Sequence, residues 1–332
     1  MRKRLLSFIL LIAVCCIMLN ACGKSDSTDD HHNTYIPEPV TVDATAGTDL
    51  DVIATFDPYE EENRYDIADS YFEKKYGVDY GTVVKDLTYY STIAEDNKQC
   101  NVLLPAGYNE NKTYPVMYVV HGFGGSHDSQ IDDDSYLTVL YGNMLHDGLT
   151  VPMIIVNLDM YTDKLADKDE KSDEELRFIY DKVITEIHTD LMPFIEKTYP
   201  VSKERGDTAV AGMSEGGAKS LCIGFTWLDE FGWIASFAPD TGVIPTDYYK
   251  GTFWNTPYME EFPQPTADNT PCYLYLTVGS EDPWNVDCTL YYRDVLNEMG
   301  VKNRTDLVEG YEHDPDFWRQ CFYNFLTKVF RQ

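Results

Sequence analysis

The chain has 332 residues and a mass of 38.0 kDa, with 56 acidic residues against 26 basic ones and a formal net charge of −30. A hydrophobic content of 43% and an aromatic content of 14% suffice for a sizeable core, which excludes wholesale disorder. The acidity argues against nucleic-acid binding, which needs clustered Lys and Arg, and against docking on anionic lipid through a basic face.

Arg2, Lys3 and Arg4 form a positive n-region, followed by an almost unbroken apolar stretch over residues 5–19. That stretch falls short of the about 20 residues of a comfortable membrane span and fits the core of a signal peptide. It ends in Leu19-Asn20-Ala21-Cys22, which looks like a bacterial lipobox with Cys22 as the acylated residue. Residues 1–21 are therefore expected to be a lipoprotein signal peptide, and the chain to be exported and lipid-anchored to the outer face of the bacterial cell membrane. Cleavage before Cys22 removes three positive charges and no negative one, taking −30 to −33.

Residues 22–79 read as an acidic, largely disordered tether. Residues 23–30 carry no apolar side chain, and Tyr59-Glu60-Glu61-Glu62 closes a weakly hydrophobic run that cannot offset the entropy of ordering. Five cysteines remain beyond Cys22: Cys100, Cys222, Cys272, Cys288 and Cys321. Their odd number leaves at least one thiol free or paired between chains, and the pairing is not readable from spacing. No CxxC or Cys/His ligand pattern appears, so no structural zinc site is expected, and the chemistry read from the motifs below requires no metal or organic cofactor.

A folded domain is expected over residues 80–332. Residues 84–91 and 99–104 are β-rich runs suited to an opening antiparallel pair. Continuous apolar runs at 116–120, 153–156, 209–211, 233–237 and 273–278 suit parallel strands buried on both faces. Helical patterns lie between them. Ser172-Asp173-Glu174-Glu175 is a capping-box sequence, and apolar residues recur at helical spacing from Leu176 to Ile195, with Pro193 expected to kink or divide the helix. Further helices are expected over 215–227, 290–299 and 316–330. Strands alternating with helices predict an α/β fold with a mostly parallel central sheet flanked by helices and antiparallel strands at its N-terminal edge.

After the run at 209–211 comes Gly212-Met213-Ser214-Glu215-Gly216-Gly217 and then a helical pattern. This is G-x-S-x-G in its meaningful context of strand, sharp turn and helix, which predicts Ser214 as a nucleophile. Of the 7 histidines only His313 follows Ser214, in a polar loop before the last helix, and the chain order serine, acid, histidine selects it as base. The acid is expected after a late strand. Asp282 in Gly279-Ser280-Glu281-Asp282-Pro283 is the first choice, with Glu281 and Asp240 as rivals. Two backbone donors are expected to form an oxyanion hole: the Glu215 amide and, from the Gly-rich loop His121-Gly122-Phe123-Gly124-Gly125, the Phe123 amide with Gly124 as the neighbouring alternative. His121 is expected to brace that loop. The aromatic segment 240–273 is a candidate for substrate contact, with covering of the core an equal alternative. Gly124, Trp254, Tyr258 and Trp284 are the candidate contacts, packing being the competing role for Trp284 and Trp318.

Tyr114-Pro115-Val116-Met117-Tyr118-Val119-Val120-His121-Gly122-Phe123-Gly124-Gly125, Gly212-Met213-Ser214-Glu215-Gly216-Gly217, Gly279-Ser280-Glu281-Asp282 and His313-Asp314 with Trp318 together resemble the esterase D-like branch of the α/β-hydrolases. Within it they look most like the feruloyl and acetylxylan esterases of carbohydrate esterase family one. Asn101-Val102-Leu103-Leu104-Pro105-Ala106-Gly107-Tyr108 is similar to that family's second strand and turn. The resemblance implies a serine carboxylesterase acting on feruloyl, cinnamoyl or acetyl esters of plant cell-wall polysaccharide such as xylan. It also implies Ser214, Asp282 and His313 as the triad, and the amides of Phe123 and Glu215 as oxyanion donors. Two features depart from it: Glu215 stands where the family often has Met, and bulky Tyr311-Glu312 precedes His313.

Three alternatives stand beside this reading. A siderophore trilactone esterase and a sugar acyltransferase would share the fold, and a solute-binding lipoprotein would share the lipid anchor. The expected partners are a plant polysaccharide or oligosaccharide ester, and the membrane through the N-terminal lipid alone.

Overall fold

A computed structural model describes residues 56–331. The signal segment, Cys22 and the first part of the expected tether lie outside the described residues.

An eight-stranded sheet organises the described chain. Its strands are β1 (Thr82–Ser91), β2 (Asp96–Leu104), β3 (Val116–Val120), β4 (Ile154–Leu158), β5 (Thr208–Met213), β6 (Trp233–Phe237), β7 (Tyr273–Gly279) and β8 (Arg304–Val308). Their spatial order is β1-β2-β4-β3-β5-β6-β7-β8. The β1/β2 and β2/β4 pairs run antiparallel and all later pairs parallel. The parallel strands β3 to β7 are buried along their length because both faces are covered, which is why they read as unbroken apolar runs. Alternation shows within them: Val116, Tyr118 and Val120 enter one core, while Met117 and Val119 enter the other.

The helices are α1 (Tyr136–His146), α2 (Asp173–Asp181), α3 (Val183–Glu186), α4 (Met192–Thr198), α5 (Glu215–Thr226), α6 (Val286–Glu298) and α7 (Pro315–Leu326). Residues of α2 to α6 fill one core, and those of α1 and α7 fill the other. Ser172 caps α2 in a complete capping box with Glu175. The expected long helix is divided as Pro193 requires: a π-turn over Ile187–Leu191 precedes α4, at whose start the proline sits, where its missing N–H costs nothing.

Two elements depart from expectation. α1 was not expected, because its residues are buried nearly all round and show no amphipathic period. The edge strand β8, Arg-Thr-Asp-Leu-Val, is mostly polar and half-exposed, so it lacks the apolar run of its neighbours.

The tether boundary at residue 79 needs correction, since residues from about 57 onward pack on the domain. Tyr59 accepts from the Leu274 amide at 2.9 Å and meets the Tyr273 ring edge-on at 4.9 Å. Tyr65 hydrogen-bonds the Tyr275 hydroxyl and Asp306, both at 2.6 Å, and Ile67 and Tyr71 are buried. Aromatic anchors spaced among acids leave average composition polar while each buries a large surface. The five cysteines among the described residues are free thiols, and burial pushes Cys222 up to about 12, so it is inert as a nucleophile.

Candidate active site

Ser214 sits between β5 and α5 at φ 56°, ψ −126°, a left-handed backbone that a non-Gly residue adopts only when its surroundings enforce it. Its amide donates to Phe237 O at 2.9 Å, and its carbonyl accepts from Ala218 N and Asp240 N. The flanking glycines allow the turn to close. A Cβ on Gly212 would lie 2.3 Å from Gly216 O, and one on Gly216 would lie 2.2 Å from His121 O.

His313 lies in the loop between β8 and α7, immediately before Asp314, whose side chain caps α7 by accepting from Phe317 N. Its Nε2 is 2.9 Å from Ser214 Oγ and its Nδ1 is 2.6 Å from Asp282 Oδ2. Edge-on contacts with Trp284 and Trp318, at 5.2 and 5.4 Å between ring centres, hold the imidazole plane. Asp282 is buried, and its Oδ1 accepts from the amides of Trp284 and Asn285 at 2.9 and 3.0 Å. Burial raises its carboxyl, but the His313 hydrogen bond, the imidazolium charge and the two amides outweigh this and hold it below its ordinary value.

The two rival acids stand elsewhere. Glu281 is exposed and gives its amide to Tyr311 O. Asp240 accepts from the Thr241 amide and faces the cavity. Desolvation, helped by the Glu215 charge, pushes its carboxyl up to about 6.

The β3–α1 loop lies against the serine: a Cβ on Gly122 would be 3.6 Å from Ser214 Cβ. His121 is fully buried. Its Nε2 accepts from Met160 N at 3.0 Å, which leaves Nδ1–H to donate to Gly122 O at 2.7 Å, so the ring braces the loop. Phe123 packs edge-on against Tyr180 and Trp254, and the Gly124 amide faces the Tyr180 hydroxyl. The Glu215 amide opens α5, where the first N–H groups have no intrahelical acceptor.

A cavity of about 340 Å³ opens over this array, lined by Ser214, Asp240, Tyr249, Trp254, Trp284, Asn285 and His313. Of the expected contacts, Trp254 and Trp284 line it. Tyr258 does not: it is half-buried and packs on the core shared by α2 to α6. Gly124 is not among the lining residues either, its loop position serving Tyr180. Asn285, which bonds Ala238 O through its side chain, also lines the cavity, a role for which an isolated Asn carries no sequence signal. The Glu215 carboxylate, which stands where the family often has Met, lies in a buried cluster with Arg177 and Lys219.

A strained serine between a buried parallel strand and a helix, hydrogen-bonded through a histidine to a late-strand carboxylate, defines the α/β-hydrolase class. Comparison with known proteins gives the family. The profile described as "Putative esterase" matches residues 91–292, and the chain belongs to that esterase family. The ferulic acid esterase of carbohydrate esterase family one from Anaeromyces mucronatus, known also in complex with ferulic acid, is 33% identical with a TM-score of 0.70, over 79% of this chain and 96% of that one. An endo-1,4-beta-xylanase/feruloyl esterase of Xylanibacter ruminicola is 25% identical over 256 residues, 75% of this chain and 31% of that protein. Endo-1,4-beta-xylanase Y of Acetivibrio thermocellus is 27% identical over 173 residues, 52% of this chain and 15% of that protein. The chain thus spans less than a third of the length of these two curated relatives. An enterobactin esterase of Shigella flexneri, 16% identical with a TM-score of 0.51 over 75% of this chain and 59% of that one, shares the fold.

Proposed function

We propose that the protein is a serine carboxylesterase that removes acyl groups from plant cell-wall polysaccharide, with aromatic acyl groups of the feruloyl type preferred over acetyl. The continuous hydrogen-bonded path from Ser214 Oγ through His313 to Asp282 carries this reading. Kinship with ferulic acid esterases supports the substrate class. The aromatic walls Tyr249, Trp254 and Trp284 suit a planar acyl group, in a cavity at the lower end of small-ligand volumes.

Ser214 Oγ attacks the ester carbonyl as His313 Nε2 takes its proton, and the carbonyl π electrons move onto oxygen. The amides of Phe123 and Glu215 stabilise that oxyanion, aided by the positive end of the α5 dipole. Asp282 keeps Nδ1 protonated and stabilises the imidazolium. Collapse breaks the bond to the sugar oxygen, which takes the proton from His313. Water then gives a proton to the same imidazole as it attacks the acyl-serine carbonyl, and collapse breaks the bond to Ser214 Oγ, which takes the proton back from His313 Nε2 as the acid departs.

Purified protein assayed on methyl ferulate, acetylated xylan and p-nitrophenyl acetate, with and without Ser214→Ala, tests the assignment. Hydrolysis that survives Ser214→Ala sinks the mechanism, and turnover of acetyl but not feruloyl esters moves the substrate to the acetyl side.

We also propose that Cys22 is acylated after signal cleavage and anchors the enzyme on the outer face of the cell membrane, a reading supported by the Leu19-Asn20-Ala21-Cys22 motif. Mass spectrometry of the mature N-terminus tests this; an unmodified Cys22 overturns it.

A further inference from the structure

Behind the nucleophile helix lies a group of four charges that the acyl-transfer steps do not use. Arg177 on α2 and Glu215 and Lys219 on α5 have fully buried side chains, and Asp181 closes the group at 19% exposure. Lys219 Nζ lies 2.7 Å from Glu215 Oε1 and 2.6 Å from Asp181 Oδ1. Arg177 places Nη1 2.7 Å from Asp181 and Nε 3.2 Å from Glu215. Two cations balance two anions, so none is left as an uncompensated buried charge.

Arg177 reaches further than the others. Its Nη2 points at two backbone carbonyls of the segment after β6, Gly242 O at 3.4 Å and Thr256 O at 3.3 Å. Those carbonyls bracket the stretch carrying Tyr249 and Trp254, and Asp240 lies just ahead of it. The stretch is tied across its own base by Thr241 Oγ1 donating to Trp254 O at 2.8 Å and by Tyr258 N donating to Gly242 O. Gly242 has φ +94°, and a Cβ there would lie 2.0 Å from Nη2, so the backbone approaches the guanidinium as only glycine permits. The same cation contacts Glu215, whose amide is assigned to the oxyanion.

We propose that Arg177 is a positioning residue that clamps the aromatic wall of the acyl pocket to the nucleophile helix, and thereby sets selectivity for large planar acyl groups. The inference rests on the esterase reading. A planar guanidinium can serve two carbonyls and two carboxylates from one fixed position, which a lysine ammonium on a flexible stem cannot. The reach of the cluster is visible at Asp240, whose carboxyl feels first desolvation and then the Glu215 charge, offset in part by Arg177 and Lys219.

Three variants test the clamp. The double variant Arg177→Met/Asp181→Asn removes one cation and one anion and leaves the Lys219–Glu215 pair balanced. Arg177→Lys keeps the charge and loses the fork. Gly242→Ala keeps all four charges and pushes the guanidinium away. In each, amide hydrogen exchange over residues 240–258 is expected to accelerate. The ratio of kcat/KM on methyl ferulate to that on p-nitrophenyl acetate is expected to fall by about tenfold or more, as misplacement of a binding wall by around 1 Å produces. Ser214 should still react with a fluorophosphonate, which reports an intact nucleophile. Unchanged exchange or an unchanged ratio in any folded variant overturns the clamp. A wild-type protein inert on both esters sinks the esterase reading instead, while the exchange measurement still decides whether Arg177 holds the wall.

Discussion

Replacing Asp282 with Asn changes one oxygen to an amide nitrogen and leaves the shape of the site intact. Asp282 Oδ1 accepts two backbone amides, from Trp284 and Asn285, while Oδ2 accepts His313 Nδ1–H. An asparagine must keep its carbonyl on the two amides, because flipping it would aim an NH₂ at both donors and forfeit two hydrogen bonds, at about 1–3 kcal/mol for each buried group left unpaired. The NH₂ therefore faces Nδ1, which becomes an acceptor. The proton moves to Nε2, and the ring then presents a donor to Ser214 Oγ where catalysis needs an acceptor. Loss of the correct tautomer is expected to lower kcat about 10⁴-fold, roughly 5 kcal/mol of barrier. The assay is p-nitrophenyl acetate hydrolysis at neutral pH, with urea unfolding to establish that the variant is folded. Because the native carboxyl titrates below its ordinary value, it contributes stability that is present above about pH 4 and lost as pH falls below it; the variant should lack that dependence. Retention of more than a tenth of wild-type kcat by folded Asp282→Asn refutes the argument and hands the role to another carboxylate.

Other expectations follow from particular contacts. Asp240→Asn should leave most of kcat in place but stabilise the fold by about 3 kcal/mol above pH 6 and little at pH 4. The sign follows from a carboxyl raised to about 6: ionising it in the native state costs free energy once pH passes the unfolded value. Urea midpoints at the two pH values check this. Gly216→Ala drives a methyl against His121 O and Val120 O, 2.2 and 2.3 Å away, and backbone there cannot yield cheaply. The expected loss is about 2–4 kcal/mol, read by urea unfolding, and a change under 0.5 kcal/mol would contradict the contact. A chain starting at residue 80 loses Tyr59, Tyr65, Ile67 and Tyr71 and uncovers Tyr273 and Tyr275. It should be insoluble or melt well below a chain starting at residue 50, measured by thermal unfolding.

The chain pattern is most readable where chemistry and packing both leave short-range marks. Gly212, Ser214 and Gly216 announce the turn because close backbone approach permits little else, and the apolar runs at Val116–Val120 and Trp233–Phe237 announce strands covered on both faces. His313 emerged by chain order, and Asp282 by its place after a late strand. What stayed hidden was long-range. Arg177 sits among apolar helical positions and reads as one solvated charge; only the folded chain brings it to Glu215, Gly242 and Thr256. The arm at residues 57–79 reads as tether because its anchors are few and widely spaced, and their partners are distant in sequence: more than two hundred residues away for Tyr59 and Tyr65, about seventy for Tyr71. β8 is an edge strand whose register is set by β7, not by its own polarity.

That arm also has a mechanical consequence. The Tyr65 carbonyl accepts the Tyr311 hydroxyl, and Tyr311 stands two residues before His313. Arg64 and Asn324 exchange hydrogen bonds between the arm and α7. Tension applied from the N-terminal side enters the domain through this arm, loading first the Tyr59 contacts with Leu274 and Tyr273 and then the Tyr65–Tyr311 contact that buttresses the His313 loop. A pull on the arm thus reaches the proton-transfer geometry through a handful of side-chain contacts, because Tyr65 holds Tyr311 and Tyr311 stands beside the loop that aims His313.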